Sequence, residues 1–155
     1  MSHSFHKIWI HLVWSTKSRV PFLNKEILPL VLQHISNKAE QERILFIAIN
    51  GTANHIHCLL EIGLTKSVAT VASLLKGESS HWVNSEKLTR KRFSWQEGYS
   101  VFSVSASHLE RVSKYIANQE EHHRKKTYQE EILEFQKECG SSFSPGINVW
   151  AKGND

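Results

Sequence analysis

The sequence predicts an α+β domain in which one antiparallel sheet has helices packed on one face. Three observations predict it. Segments with period-two alternation are interleaved with segments at helical spacing, in the order β-α-β-β-α-β-α with one last helix. A turn signal, Asn50-Gly51, joins two of the strand-like segments into a hairpin. The 155 residues carry no internal repeat, low-complexity tract or long linker, so one domain spans 1–155 with a loosely held tail from about 141.

Each element has its own warrant. Phe5 to Trp14 is aromatic and β-branched, and as a strand it places Ile8, Ile10, Leu12 and Trp14 on one face. Asn24 to Gln41 has helical periodicity through Ile27, Val31 and Ile35, with Pro29 near its start, where proline is best tolerated. Ile44 to Asn50 and Asn54 to Ile62 form the hairpin, and Gly63 ends its second strand. Val68, Val71, Ala72, Leu75 and Trp82 mark a helix from Lys66 to Asn84. Ser85 to Gly98 is basic and irregular, with Trp95 as its anchor. Tyr99 to Ser105 alternates as a fourth strand. Ser107 and Glu110 have the spacing of a capping box, opening a helix that runs to about Lys125. Tyr128 to Cys139 is a further helix, ended by Gly140. This order satisfies a ferredoxin-like or RRM-like sandwich.

Composition narrows the classes of function. Hydrophobic content of 40% and charged content of 22% are those of an ordinary globular protein. No apolar run approaches the roughly 20 residues of a membrane span, and the N-terminus has no apolar core of a secretory signal, so a cytoplasmic protein is expected. Cys58 and Cys139 lie in different elements without C-x-x-C spacing and read as reduced thiols. A net charge of +4 and a pI near 9.1 are compatible with a nucleic-acid partner. No Gly-rich phosphate loop is present, so no nucleotide cofactor is expected.

The chemistry-bearing residues form two pairs. His55 and His57 are two apart on a strand, so both imidazoles point to one face, and Leu59 continues that face as an apolar, buried one. Tyr115 and Gln119 are four apart in a helical stretch and share a face, with Val112 packed inward one turn earlier. Two imidazoles and an amide oxygen suit one divalent ion, with a phenol beside it. That combination suggests attack by tyrosine on a phosphodiester. Either pair alone is weak, since strand histidines often pack and helical tyrosines often edge a core. Tyr99 and Tyr128 lack a polar ligand four residues on, and the base that takes the phenol's proton is not named by the sequence, since His122 and His123 lie too far along the helix for that role.

Several blocks occur together and in order: Asn54-His55-Ile56-His57 before Leu59-Leu60; Leu75-Lys76-Gly77 with Ser79-Ser80; Phe93-Ser94-Trp95-Gln96-Glu97-Gly98-Tyr99; Phe102-Ser103-Val104-Ser105; and Tyr115 through His123. From Phe5 to Gly140 they resemble the single-tyrosine transposases of small bacterial insertion sequences, members of the His-hydrophobic-His (HUH) nucleases, and the related REP-associated tyrosine transposases. One departure is Asn54, where that family often has an acidic residue.

The resemblance implies Tyr115 as nucleophile and His55, His57 and Gln119 as ligands of Mg²⁺ or Mn²⁺. It implies cleavage and rejoining of single-stranded DNA at hairpin-bearing element ends through a 5′-phosphotyrosine, by a homodimer with shared active sites. Lys17, Arg19, Arg90, Lys91 and Arg92 are the candidate DNA-binding residues, by phosphate attraction. Two other readings compete. A non-catalytic RRM-like module would bind single-stranded nucleic acid without cutting it. A zinc hydrolase would need Cys58 beside His55 and His57, yet adjacent strand residues point to opposite faces.

Overall fold

The computed structural model describes residues 3–123 and 125–140. Residues up to Lys125 form one compact unit, and a second begins at Lys126. The first unit holds the sheet. Its strands are β1 (Trp9–Ser15), β2 (Leu45–Thr52), β3 (His55–Glu61) and β4 (Ser100–Val104), in spatial order β2-β3-β1-β4, every neighbouring pair antiparallel. Its helices are α1 (Ile27–Gln41), α2 (Val68–Ser85), α3 (Leu109–Ala117) and α4 (Gln119–His123). The α+β antiparallel sandwich expected from the sequence is the one observed, with the histidine pair on a central strand.

Period-two alternation sorts the sheet into two faces. Ile10, Leu12 and Trp14 of β1 and Ile56, Cys58 and Leu60 of β3 form one face, packed against Val31 and Ile35 of α1 and Val71, Ala72 and Leu75 of α2 in the main core. Burying each of the Ile, Leu and Val side chains among these contributes roughly 1.5–3 kcal/mol. Ile8, expected on this face, precedes β1 and is exposed. The other face carries His11 and Val13 of β1 with His55, His57 and Leu59 of β3. It is also covered: α3 lies against β2 and β3, and α4 against β2. Helices therefore pack on one face only for α1 and α2. The second face is rich enough in buried residues to need cover of its own.

The hairpin turn is not at Asn50-Gly51. Both residues lie inside β2, paired with His57 and Ile56, and Ala53-Asn54 makes the connection. Glycine at 51 answers a close approach, since a Cβ there would stand 2.5 Å from the His55 carbonyl oxygen. Backbone bonds from Thr16 to the Asn54 carbonyl (2.8 Å) and from Leu23 to the Ala53 carbonyl (2.9 Å) hold the connection in place.

Ser67 caps α2 by accepting from the Thr70 amide at 3.1 Å. The capping box expected at Ser107 does not form. A single 3-10 turn, Ala106–His108, precedes α3 instead, and the Ser105 hydroxyl bonds the His108 ring at 2.6 Å. Nor is the next helix continuous. It breaks at Asn118 (φ −100, ψ 29), because the Asn50 side chain takes the Ile116 and Ala117 carbonyls at 3.0 and 3.1 Å.

In the second unit, α5 (Tyr128–Gly140) carries an ion pair from the preceding Lys126 to Glu134 at 2.7 Å. Gly140 is its last residue and also the last described, so the helix stop and the tail from 141 lie outside the described residues.

Candidate active site

The two middle strands and the broken helix bring His11, His55, His57, Tyr115, Gln119 and His123 to one place. His55 and His57 are fully buried on β3. Around His55 the hydrogen bonds assign the tautomer. Its Nδ1 lies 2.7 Å from the Asn54 side-chain oxygen and 2.9 Å from the Thr52 hydroxyl. A carbonyl oxygen only accepts, so Nδ1 carries a hydrogen, and in the neutral ring Nε2 presents its lone pair. Asn54 thus supplies the acceptor that an acidic residue would supply at that position.

The Nε2 lone pair of His55 points at His123. Nε2 of His123 lies 2.9 Å from it and 3.0 Å from Gln119 Oε1. Gln119, fully buried, also donates from Nε2 to the Tyr115 carbonyl at 3.3 Å. Nitrogens of His55, His57 and His123 all fall within 4.8 Å of one another. Metal–ligand bonds of about 2.1 Å at right angles place neighbouring donors about 3 Å apart, which is the separation of His123 from His55 and from Gln119. The chemistry of the set, neutral imidazoles and an amide oxygen held on a stiff strand and a short helix, fits a divalent ion.

Tyr115 stands at the margin of the same cluster, half-buried. Its ring centroid is 5.9 Å from that of His57, 6.5 Å from His11 and 4.3 Å from His122. All of these belong to one chain. His122 is therefore close to the tyrosine rather than far from it, and His123 turns to His55 and Gln119, because the break at Asn118 redirects the chain after Ala117.

Sequence reasoning passes over His11 and sets aside His123. His11, buried on β1, places Nε2 at 2.8 Å from His57 Nδ1, with the two rings stacked at 5.0 Å. Alternation carries the signal for His11, which is out of phase with the apolar set Ile10, Leu12 and Trp14. Its register against Leu59, two residues beyond His57, is a matter of strand pairing that one sequence does not display. Cys58 lies on the core face, where burial pushes its thiol well above the usual range, so it cannot join the histidines.

Lys17, Arg19, Arg90, Lys91 and Arg92 are all exposed, on two loops bonded to each other. Lys17 donates its backbone N–H to the Ser94 carbonyl at 2.9 Å, and Thr16 bridges Trp95. Ser18 and Arg19 both adopt positive φ (55° and 56°), which turns this short segment sharply. The loop holding Arg90 to Arg92 is anchored at both ends. Asn84 clamps both backbone groups of Phe93 (2.8 and 2.9 Å), and the Lys76 amine donates to the carbonyls of Gln96, Glu97 and Gly98. The two loops meet beyond Ser15, which pairs with His55, so the basic groups sit at the histidine end of the sheet.

Comparison with known proteins agrees with this architecture. The solved structure of a candidate transposase from Deinococcus radiodurans R1 superposes with a TM-score of 0.63 at 22% identity, over 77% of this chain and 95% of that one. A REP-associated tyrosine transposase bound to a REP hairpin superposes with a TM-score of 0.54 at 16% identity, over 76% and 72% of the two chains. The ISDra2 transposase TnpA of Deinococcus radiodurans is 24% identical over 119 residues, 74% of this chain and 85% of that protein. The family model described as "Transposase IS200 like" matches residues 4–119, from before β1 to Gln119, and the chain belongs to that family of IS200-like transposases.

Proposed function

We propose that this transposase is a metal-dependent single-stranded DNA endonuclease and strand transferase, acting at hairpin-bearing element ends through a 5′-phosphotyrosine on Tyr115. The observation that carries the proposal is the packing of the Tyr115 ring 5.9 Å from His57, at the edge of a buried cluster of ion-binding donors. His55, His57 and Gln119 are its ligands for Mg²⁺ or Mn²⁺. A divalent ion bound there supplies polarisation of the phosphoryl oxygens and stabilises the charge that builds on them.

The chain's own residues supply the rest. The Tyr115 oxygen attacks phosphorus and gives up its proton. The bond from phosphorus to the upstream 3′ oxygen breaks, and that oxygen takes a proton to become a free 3′-hydroxyl. The phosphotyrosine ester conserves the bond energy, so a 3′-hydroxyl on another end can attack it and release the tyrosine without a nucleotide cofactor. Asn54 and Thr52 orient His55, and His11 orients His57. Lys17, Arg19, Arg90, Lys91 and Arg92 attract the phosphate backbone at the same end of the sheet.

Several observations support DNA hairpins as substrate: membership of the IS200-like family, the fold shared with a transposase solved on a REP hairpin, and the exposed basic loops. A homodimer in the cytoplasm is part of the same proposal, supported by the family. No helix among the described residues is long and apolar enough to cross a membrane. The alternative, an RRM-like module that binds without cutting, requires bases to stack on the open sheet face, and α3 and α4 cover the β2–β3 part of that face.

The test is cleavage of end-labelled single-stranded hairpin oligonucleotides with Mn²⁺ and with excess chelator. Cleavage that needs the ion and leaves a 3′-hydroxyl is expected. Retention of DNA without any cut, in every divalent ion tried, would favour the binding module.

A further inference from the structure

We infer that His123 is an additional metal ligand, and that its imidazole tips the site towards a first-row transition ion over Mg²⁺. The inference rests on the ion site proposed above and extends it beyond the residues the family model covers, which end at Gln119. Nε2 of His123 stands 2.9 Å from Nε2 of His55 and 3.0 Å from Gln119 Oε1, so three donors converge on one point. In the neutral ring of His55, Nε2 holds a lone pair, since the one hydrogen is on Nδ1 and goes to Asn54. In the metal-free cluster His123 must therefore donate its Nε2 hydrogen into the two acceptors. An ion takes the place of that hydrogen, with His123 shifting its proton to Nδ1.

The position of His123 is fixed from two sides. The helix break at Asn118 starts α4 afresh, and within it Gln119 and His123, four residues apart, face the same way. The His122 amide bonds the Asn118 carbonyl at 3.1 Å, securing that turn. Among the side chains of the unit that ends at Lys125, the set is three imidazoles and one amide oxygen. Magnesium prefers an oxygen shell and keeps its waters, whereas imidazole suits the later first-row ions iron, cobalt, nickel, copper and zinc. A site with only two imidazoles and the amide is more permissive towards magnesium.

The test uses the full chain and Co²⁺ alone, followed by visible absorption and calorimetry, with Mg²⁺ as competitor. Wild type should bind one equivalent of Co²⁺ and resist a hundredfold excess of Mg²⁺. His123→Ala should weaken Co²⁺ about 100-fold, change the ligand-field band, and let Mg²⁺ compete. His123→Gln, which keeps a polar side chain in α4, should lie between, and circular-dichroism melting of both variants reports whether the fold is intact. His55→Ala serves as the reference and should abolish binding. Wild-type binding that His55→Ala removes while folded His123→Ala and His123→Gln leave affinity and spectrum unchanged would overturn the inference and leave the ion site standing. No Co²⁺ binding by wild type would overturn both.

Discussion

The Asn50 side chain reaches across from edge strand β2 to the Ile116 carbonyl, 3.0 Å away, and ties the sheet to the last turn of the helix that carries Tyr115. A second bond to the Ala117 carbonyl, at 3.1 Å, makes this a two-point clamp. Two consequences follow from one side chain. The helix ends where its carbonyls are taken, and the tyrosine is held beside the histidines. Asn50→Ala is expected to destabilise the fold by about 1–3 kcal/mol, because two carbonyls lose their partner. Adduct formation should fall further than hairpin affinity. A urea titration beside a cleavage time course checks both, and equal loss in the two would assign Asn50 to stability alone.

His11 acts through His57. His11→Phe keeps an aromatic ring near Phe102, 6.2 Å away, but removes the 2.8 Å bond to His57 Nδ1. Ion affinity is expected to drop about 10- to 100-fold, as for other residues that orient metal-binding histidines. Hairpin binding without metal should not change. Calorimetric titration of the variant with Mn²⁺ reads the effect directly.

The basic loops should act through salt-sensitive attraction. Every cation that neutralises a phosphate of single-stranded DNA steepens the fall of log affinity with log salt by about 0.7. A variant with Arg90, Lys91 and Arg92 all replaced by Ala should therefore have a slope shallower by about 2. The measurement is hairpin affinity at four salt concentrations. An unchanged slope would place the DNA elsewhere.

Cys58 gives a pH signature. Burial raises its folded-state pKa above the ordinary value of 9.0, so the native state keeps its proton where the unfolded chain loses it. The sign is then fixed. Stability from the neutral thiol is complete below pH 9 and is lost as pH rises beyond it, at up to about 1.4 kcal/mol per unit. Comparing the alkaline stability of wild type and Cys58→Ala isolates this contribution, and a thiol reagent should reach Cys58 in a Cys139→Ser background only on unfolding.

The fold is legible in the sequence because its signals are local. Alternation in β1 and β3 and the helical spacing of Val31, Ile35, Val71 and Leu75 each follow from burying one face. The hairpin turn is misplaced by sequence because Asn-Gly is the strongest short turn signal, while Gly51 is required by the nearby His55 carbonyl, a long-range fact. The helix break at Asn118 is hidden for the same reason, since its cause is Asn50, 66 residues before Ile116. Spacing puts His55 with His57, and Tyr115 with Gln119, on shared faces, the family resemblance singles the four out, and the structure gathers them. His11 and His123 join them through strand register and a changed helix direction, neither of which a periodicity reveals.

The central claim is that Tyr115 is the nucleophile at this histidine cluster. The most direct measurement is incubation of the full chain with a single-stranded hairpin oligonucleotide and Mn²⁺, followed by peptide mass mapping of the covalent product. The account predicts a DNA adduct on the peptide containing Tyr115, absent in Tyr115→Phe although that variant still binds the hairpin. An adduct persisting in Tyr115→Phe, or mapped to Tyr99 or Tyr128, would contradict it.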